Sequence, residues 1–283
     1  MAISCSKEPT ADAYGQFEVD ETTISAETSG KLLFFNVNEG NHLEIGEKVA
    51  LIDTLQLRLQ KDELAASLQS VKTKYQVLNA QADVYREQLK TANKDFERIK
   101  ALIKDKAATD MQLDEINGKI NTLAKQIDAV DAQKNSVQAE VQTINAKIAQ
   151  LDDTIRRGVV FNPVNGIVLN KYVEPFELVM PGQPLYSIAN LDTLILRAFV
   201  SGAQLPRVVL GNPVEVLVDK DSESDTTFTG MVNWIASEAE FTPKMIQTKE
   251  ERVTQVYAIK ISVPNANGYI KIGMPGEVNF PKN

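Results

Sequence analysis

Two runs of apolar residues, spaced by threes and fours and arranged as mirror images about residue 106, dominate the stretch between Leu57 and Ile155. The first comprises Leu57, Leu64, Leu68, Val71, Tyr75, Leu78, Ala82, Tyr85, Leu89, Ala92, Phe96 and Ile99. The second comprises Leu113, Ile116, Ile120, Leu123, Ile127, Val130, Lys134, Val137, Val141, Ile144, Ile148, Leu151 and Ile155. Such spacing makes the narrow seam of a coiled coil, not the broad stripe of a helix lying on a globular core. The register breaks between Ile99 and Leu113, which is a conflict for one continuous helix and none for an antiparallel hairpin. Mirror partners are then Ile99 with Leu113, Leu89 with Leu123, Leu78 with Lys134, Leu64 with Ile148 and Leu57 with Ile155. With about 48 residues per arm at roughly 1.5 Å each, the hairpin projects about 70 Å. A lysine in an apolar seam is costly unless it snorkels, so Lys134 marks the weakest layer, and Lys134→Leu should stabilise the rod by about 1 kcal/mol. Taken alone, the heptads equally suit a rod that serves only as a spacer or dimeriser.

At 283 residues with 43% hydrophobic content, the chain supports two or three modules. Its 38 acidic and 30 basic residues leave a net charge of −8, which argues against nucleic acid as a partner, since that role calls for a basic footprint. No stretch approaches 18 consecutive apolar residues, so no spanning helix is expected. The single cysteine, Cys5, excludes an internal disulfide. Met1-Ala2 reads as an added start, and Ile3-Ser4-Cys5-Ser6-Lys7 resembles the end of a bacterial lipoprotein signal, in which a small residue precedes an acylated cysteine; the apolar stretch that such a signal requires is missing. An ordinary free thiol is the alternative reading. Residues 6–13 are polar and fit a tether in either case, so residues 1–13 are taken as a flexible N-terminal tether.

The segments flanking the heptads read as β structure and look like two halves of one module. Upstream, Thr23 to Val37 alternates and turns at Glu39-Gly40-Asn41, and a second turn at Glu44-Ile45-Gly46-Glu47 leads to the strand Val49 to Asp53. Downstream, Asn162-Pro163-Val164-Asn165-Gly166-Ile167-Val168-Leu169 is followed by Val179-Met180-Pro181-Gly182-Gln183-Pro184-Leu185-Tyr186-Ser187-Ile188. Both halves place a glycine before a β-branched strand, then a glycine turn, then a strand ending in Leu or Ile.

These residues, with Ser29-Gly30-Lys31-Leu32, resemble the split lipoyl-type domain of the membrane-fusion proteins, the periplasmic adaptor subunits of tripartite efflux pumps and type I secretion systems. In that family a helical hairpin is inserted between the two lipoyl halves, where this chain carries its heptads. The resemblance covers roughly residues 17–281. It implies an α+β fold: a long antiparallel coiled-coil hairpin (55–157) inserted in a lipoyl-type β-domain (14–54 and 158–190), followed by a small antiparallel β-barrel (191–283). True lipoyl and biotinyl domains carry a cofactor on a lysine at a hairpin tip. Here Ile52-Asp53-Thr54-Leu55 runs straight into the coiled coil, and Asp219-Lys220 lies well beyond the second half, so no cofactor is expected.

The run Asp95 to Asp114 spans the hairpin's turn and resembles the family's tip, which has Arg, then Leu four residues on, then Ser seven residues later. Arg98, Leu102 and Thr109 match that spacing, with Thr in place of Ser. The resemblance implies that these three dock on an outer-membrane channel: Arg98 by hydrogen bonds, Leu102 in an apolar groove, Thr109 where adaptor and channel helices interlock. Read without the family, Thr109 and Gln112 form a capping box, and Arg98 and Leu102 share a helical face, with Leu102 off the seam.

Beyond Ile188, strands at Leu194 to Val200, Val214 to Val218, Phe228 to Ile235, Val256 to Val263 and Gly276 to Phe280, with Gln204 to Leu210 as a short helical turn, suit a small barrel of five or six strands. Trp234 on an alternating strand is expected in its core. Ala239 to Pro243 with Gln247 to Arg252 resembles adaptors that partner ATP-driven ABC exporters. After Ile272 to Phe280 no membrane-proximal domain of the usual size is expected. The only histidine, His42, sits in a turn with no ligand partner, and no nucleophile elbow or phosphate loop is present, so neither catalysis nor a metal site is expected. The resemblance implies a non-catalytic adaptor in the periplasm of a Gram-negative bacterium. It would be anchored to the inner membrane through lipid on Cys5, assembled in a ring (a hexamer by resemblance), and would link an exporter, ABC type favoured, to an outer-membrane channel. A structural coiled-coil scaffold of the cell envelope is the alternative.

Overall fold

A computed structural model describes residues 11–219, 225–241 and 255–281. Cys5, Lys220, Thr242-Pro243 and Gln247 to Arg252 lie outside the described residues. In chain order the elements are β1 (Ala13–Glu18), β2 (Thr22–Ser25), β3 (Gly30–Phe35), β4 (His42–Leu43), β5 (Lys48–Ile52), α1 (Leu55–Lys104) and α2 (Asp110–Arg156). They continue with β6 (Val159–Phe161), β7 (Gly166–Lys171), β8 (Leu178–Val179), β9 (Pro184–Ala189), β10 (Thr193–Ser201), β11 (Pro213–Asp219), β12 (Asp225–Ile235), β13 (Glu240–Phe241), β14 (Gln255–Pro264) and β15 (Pro275–Asn279).

The hairpin follows its heptads. Residues 55–156 contain no proline and one glycine, Gly118, so nothing interrupts the backbone ladder. In α2 every seventh residue from Ile116 through Leu123, Val130 and Val137 to Ile144 is buried, and Val71, Leu78, Ala82 and Ala92 face them from α1. Lys61 pairs with Asp152 at 2.6 Å, within one residue of the expected mirror partner. Lys134 is in the seam with its side chain only 14% exposed, but its ammonium escapes isolation by sitting 5.5 Å from the centre of the Tyr75 ring and 3.4 Å from Asp131. At the base, Arg157 binds Asp153 at 2.8 Å and reaches Glu27 of the β module at 2.7 Å. The two guanidinium groups of Arg156 and Arg157, hydrogen-bonded to Asp153, hold its carboxyl below the usual range.

The split β module is an internal repeat. Gly30 and Gly166, Gly46 and Gly182, and Ile52 and Ile188 are each separated by 136 residues, and the strand pairings repeat at the same interval. One sheet runs β2-β9-β7-β4 and the other β6-β5-β3-β8. Each sheet takes two strands from either half, so neither half closes a sheet without the other although the hairpin separates them. Gly30 and Gly166 begin equivalent strands, and a Cβ there would collide with the carbonyl oxygens of Asp53 and Ala189 respectively. The turn that Gly40 makes at φ 82° is made in the second half by Phe176 at φ 75°. The core gathers Leu32, Val37, Val49 and Ile52 with Val168, Leu185, Tyr186 and Ile188. Within it Tyr186 donates to Asn162 Oδ1 at 3.0 Å, while the Asn162 amide donates to the carbonyls of Glu44 and Val164.

The barrel has six strands closed in the order β10-β1-β15-β11-β12-β14, with β14 returning to β10, and β13 added on β14. Its sixth strand is β1, which the sequence reading grouped with the split module at residues 14–54. Phe17 pairs with Leu196 and Ala13 with Val278, so residues 13–18 belong to the barrel. Trp234 is also placed otherwise than expected: it is 43% exposed. The pairing of β12 with β14 shifts at Asn233, so that Val232 opposes Ile261 whereas Trp234 opposes Lys260. That bulge inverts the alternation and turns the indole outward.

Candidate docking site at the hairpin tip

α1 ends in a hydrogen-bonded turn of the Schellman type. Ala107 N–H donates to the Leu102 carbonyl at 2.8 Å and Lys106 N–H to the Ile103 carbonyl at 2.9 Å. The turn requires a left-handed residue, and Lys106 supplies it at φ 58°. Two residues after Ala107, Thr109 starts α2 in extended conformation, its hydroxyl accepting from Gln112 N–H at 3.4 Å while Gln112 Oε1 accepts from Thr109 N–H at 3.0 Å. The capping box read from the sequence is therefore present. Both helix ends are satisfied within the loop, so the connection is a defined turn and not a slack link.

The seam closes just below it, where Phe96 and Ile99 pack with Leu113 and Ile116. Above that layer the Arg98 side chain is 73% exposed, and its contact to the half-buried Asp95, at 3.5 Å, is too weak to hold it from a partner. Leu102 is 39% exposed, and Thr109 is exposed although it caps the helix. Arg98, Leu102 and Thr109 are thus all exposed toward the turn end of the hairpin, Arg98 and Leu102 in the last turns of α1 and Thr109 at the start of α2. Met111, 77% exposed on the first turn of α2, adds an apolar side chain that the spacing comparison did not select. Its signal was available: Met111 lies off the α2 seam, two residues before Leu113.

The chemistry that the tip offers is recognition: one exposed guanidinium, two apolar side chains and a hydroxyl. Among the described residues no group of three His, Cys, Asp or Glu is disposed to hold a metal ion. His42, the lone histidine, is exposed on β4 opposite Ile167. No described helix is long and apolar enough to cross a membrane.

No family model matches the chain. A UPF0194 membrane protein from Acidithiobacillus ferridurans is 24% identical over 302 residues, covering 97% of this chain and 88% of that protein. Among solved structures, MacA from Actinobacillus actinomycetemcomitans superposes with a TM-score of 0.67 at 19% identity, over 95% of this chain and 76% of MacA. The membrane fusion protein Spr0693 from Streptococcus pneumoniae R6 superposes with a TM-score of 0.62 at 12% identity, over 95% of this chain and 99% of Spr0693. With its helical hairpin, β-barrel and matching neighbours, the chain has the membrane-fusion-protein fold that its sequence resemblance implied.

Proposed function

We propose that this chain is a non-catalytic periplasmic adaptor. It is anchored at the inner membrane through lipid on Cys5, carries a lipoyl-type domain between hairpin and barrel, and assembles as a ring, a hexamer by resemblance. In that role it links an inner-membrane exporter, ABC type favoured, to an outer-membrane channel docked through Arg98, Leu102 and Thr109. The observation that supports this reading is that the first described strand enters the barrel at one end while the hairpin tip stands at the end of a long helix on the far side of the split module. β1 begins at Ala13, beside the end of β10 and remote from the end of the barrel where Glu18 and Ile195 lead to the split module. The tip residues stand beyond that module, at the end of a helix of 50 residues, or about 75 Å. A protein tethered where β1 enters the barrel presents the tip far from the membrane, which is what a bridge between two membranes requires and a simple anchor does not.

The tip supports docking because Arg98, Leu102 and Met111 are exposed while its backbone is fixed by the turn and the capping box. Burying Arg98 against a carbonyl or carboxylate makes a charge-assisted hydrogen bond, and Leu102 with Met111 offers the apolar contact beside it. The test is export and crosslinking to the outer-membrane channel in Arg98→Glu and Leu102→Asp variants. Both are expected to lose each activity while helicity and assembly stay intact, since neither side chain sits in the seam. Thr109→Ala should in addition lower stability by about 1 kcal/mol through the lost cap. Full export in the first two variants would reject the adaptor tip and favour the envelope-scaffold reading. Fractionation of Cys5→Ala, expected in the soluble periplasm, tests the anchor separately.

A further inference from the structure

The barrel end at which the chain enters carries its own contact surface. Asp12 is fastened there: its carboxylate accepts from Arg207 at 3.1 Å and from Phe280 N–H at 3.0 Å, and its carbonyl accepts from Gln204 Nε2. The loop from β10 to β11 that supplies Gln204 and Arg207 buries Val208 in the barrel core, then lifts Val209 and Leu210 into solvent, 50% and 62% exposed. The turn is held from both sides, with Gly211 N–H on the Val232 carbonyl at 2.8 Å and Asn212 N–H on the Val209 carbonyl at 3.2 Å. Gly211 makes it at φ 83°. Two neighbouring apolar side chains are thus presented rigidly at the rim from which the tether departs.

We propose that Val209 and Leu210 insert into the interfacial layer of the lipid bilayer and seat the barrel on the membrane. This rests on the Cys5 anchor proposed above. Asp12 lies seven positions after Cys5, about 24 Å at full extension and about 15 Å as a flexible chain. An acylated Cys5 therefore keeps the rim within reach of the headgroups, at a high effective concentration, so that even a small apolar contact is occupied. Arg207, the basic residue of this loop, is paired with Asp12, and the net charge of −8 adds no long-range attraction to anionic lipid, so the proposed contact is carried by Val209 and Leu210 and is insensitive to salt. A lipid surface is the occupant that the tether dictates, whereas docking of the same loop on a transporter would need no vesicle.

Cys5 is the only cysteine, so the full chain can be coupled through it to maleimide lipid in phosphatidylcholine vesicles and its amide hydrogen exchange compared with the uncoupled chain. Coupling should slow exchange of residues 207–212 about threefold or more, at low and high salt alike. Val209→Asp and Leu210→Asp should remove that protection, and Leu102→Asp at the remote tip should leave it. Unchanged exchange in the coupled wild type, protection that survives both loop substitutions, or protection centred elsewhere would overturn the proposal. Because the coupling supplies the anchor chemically, these outcomes do not depend on acylation in cells, which the Cys5→Ala fractionation decides.

Discussion

Replacing Lys134 tests both the register of the coiled coil and the way it tolerates a charge. Leucine at this position would restore an apolar layer and would lose less side-chain entropy than lysine on burial, a gain of about 1 kcal/mol. Against this stand the contact of the ammonium with the Tyr75 ring, 5.5 Å to its centre, worth about 0.5–1 kcal/mol, and the pair with Asp131 at 3.4 Å. Asp131 is 44% exposed, so that pair contributes only a few tenths of a kcal/mol. The net change for Lys134→Leu is then close to zero, within about 0.5 kcal/mol, and not the gain of about 1 kcal/mol that the seam pattern alone suggests. A double-mutant cycle of Lys134→Leu with Tyr75→Leu isolates the ring contact and should show a coupling of about 0.5–1 kcal/mol. Urea unfolding followed by far-UV ellipticity, which reports mainly α1 and α2, is the assay. A coupling of zero would mean that lysine and ring do not meet, and a gain above about 2 kcal/mol for Lys134→Leu would mean that the charge is unpartnered in the seam.

Two further tests address the split module. Burial, and secondarily the charge of Glu47, raise the pKa of the Tyr186 phenol. The neutral phenol is favoured in the folded state, so the stability that this group contributes is complete below the unfolded value of about 10 and is lost as pH rises above it. Tyr186→Phe should lower stability at neutral pH by about 1–3 kcal/mol, because Asn162 Oδ1 loses its donor, and should flatten the alkaline decline; an unchanged slope above pH 10 would refute the linkage. At the equivalent left-handed turns, Gly40→Ala should cost about 1 kcal/mol, for its Cβ meets nothing within 4 Å and the penalty is purely conformational. Phe176→Gly should change stability by less than about 0.5 kcal/mol, because relief of the αL penalty offsets the lost contact with Lys31, at 5.3 Å, and the added freedom of the unfolded chain; a melting curve showing a loss above 1 kcal/mol would mean that the ring is held by more than that contact.

The hairpin and its turn could be read from the chain because their determinants are local. A period of 3.5 residues specifies a helical seam, its mirror symmetry specifies reversal, and Thr109 with Gln112 specifies where the second helix starts, all within a few turns of backbone. Tertiary pairing alone decided the rest. Residues 13–18 offer six residues of alternation that would suit either β module, and only the register with Phe199 and Val278, which lie far along the chain, assigns them to the barrel. The outward turn of Trp234 depends on one unpaired residue, Asn233, opposite a strand some 27 residues away, and since side chains alternate with period two, one such residue reverses the face. The exchange of strands between the two halves of the split module likewise rests on hydrogen bonds across the whole hairpin insertion, which no local pattern encodes. The tip residues were legible as a spacing; that Arg98, Leu102, Thr109 and Met111 are all exposed became visible only once the seam below them had closed.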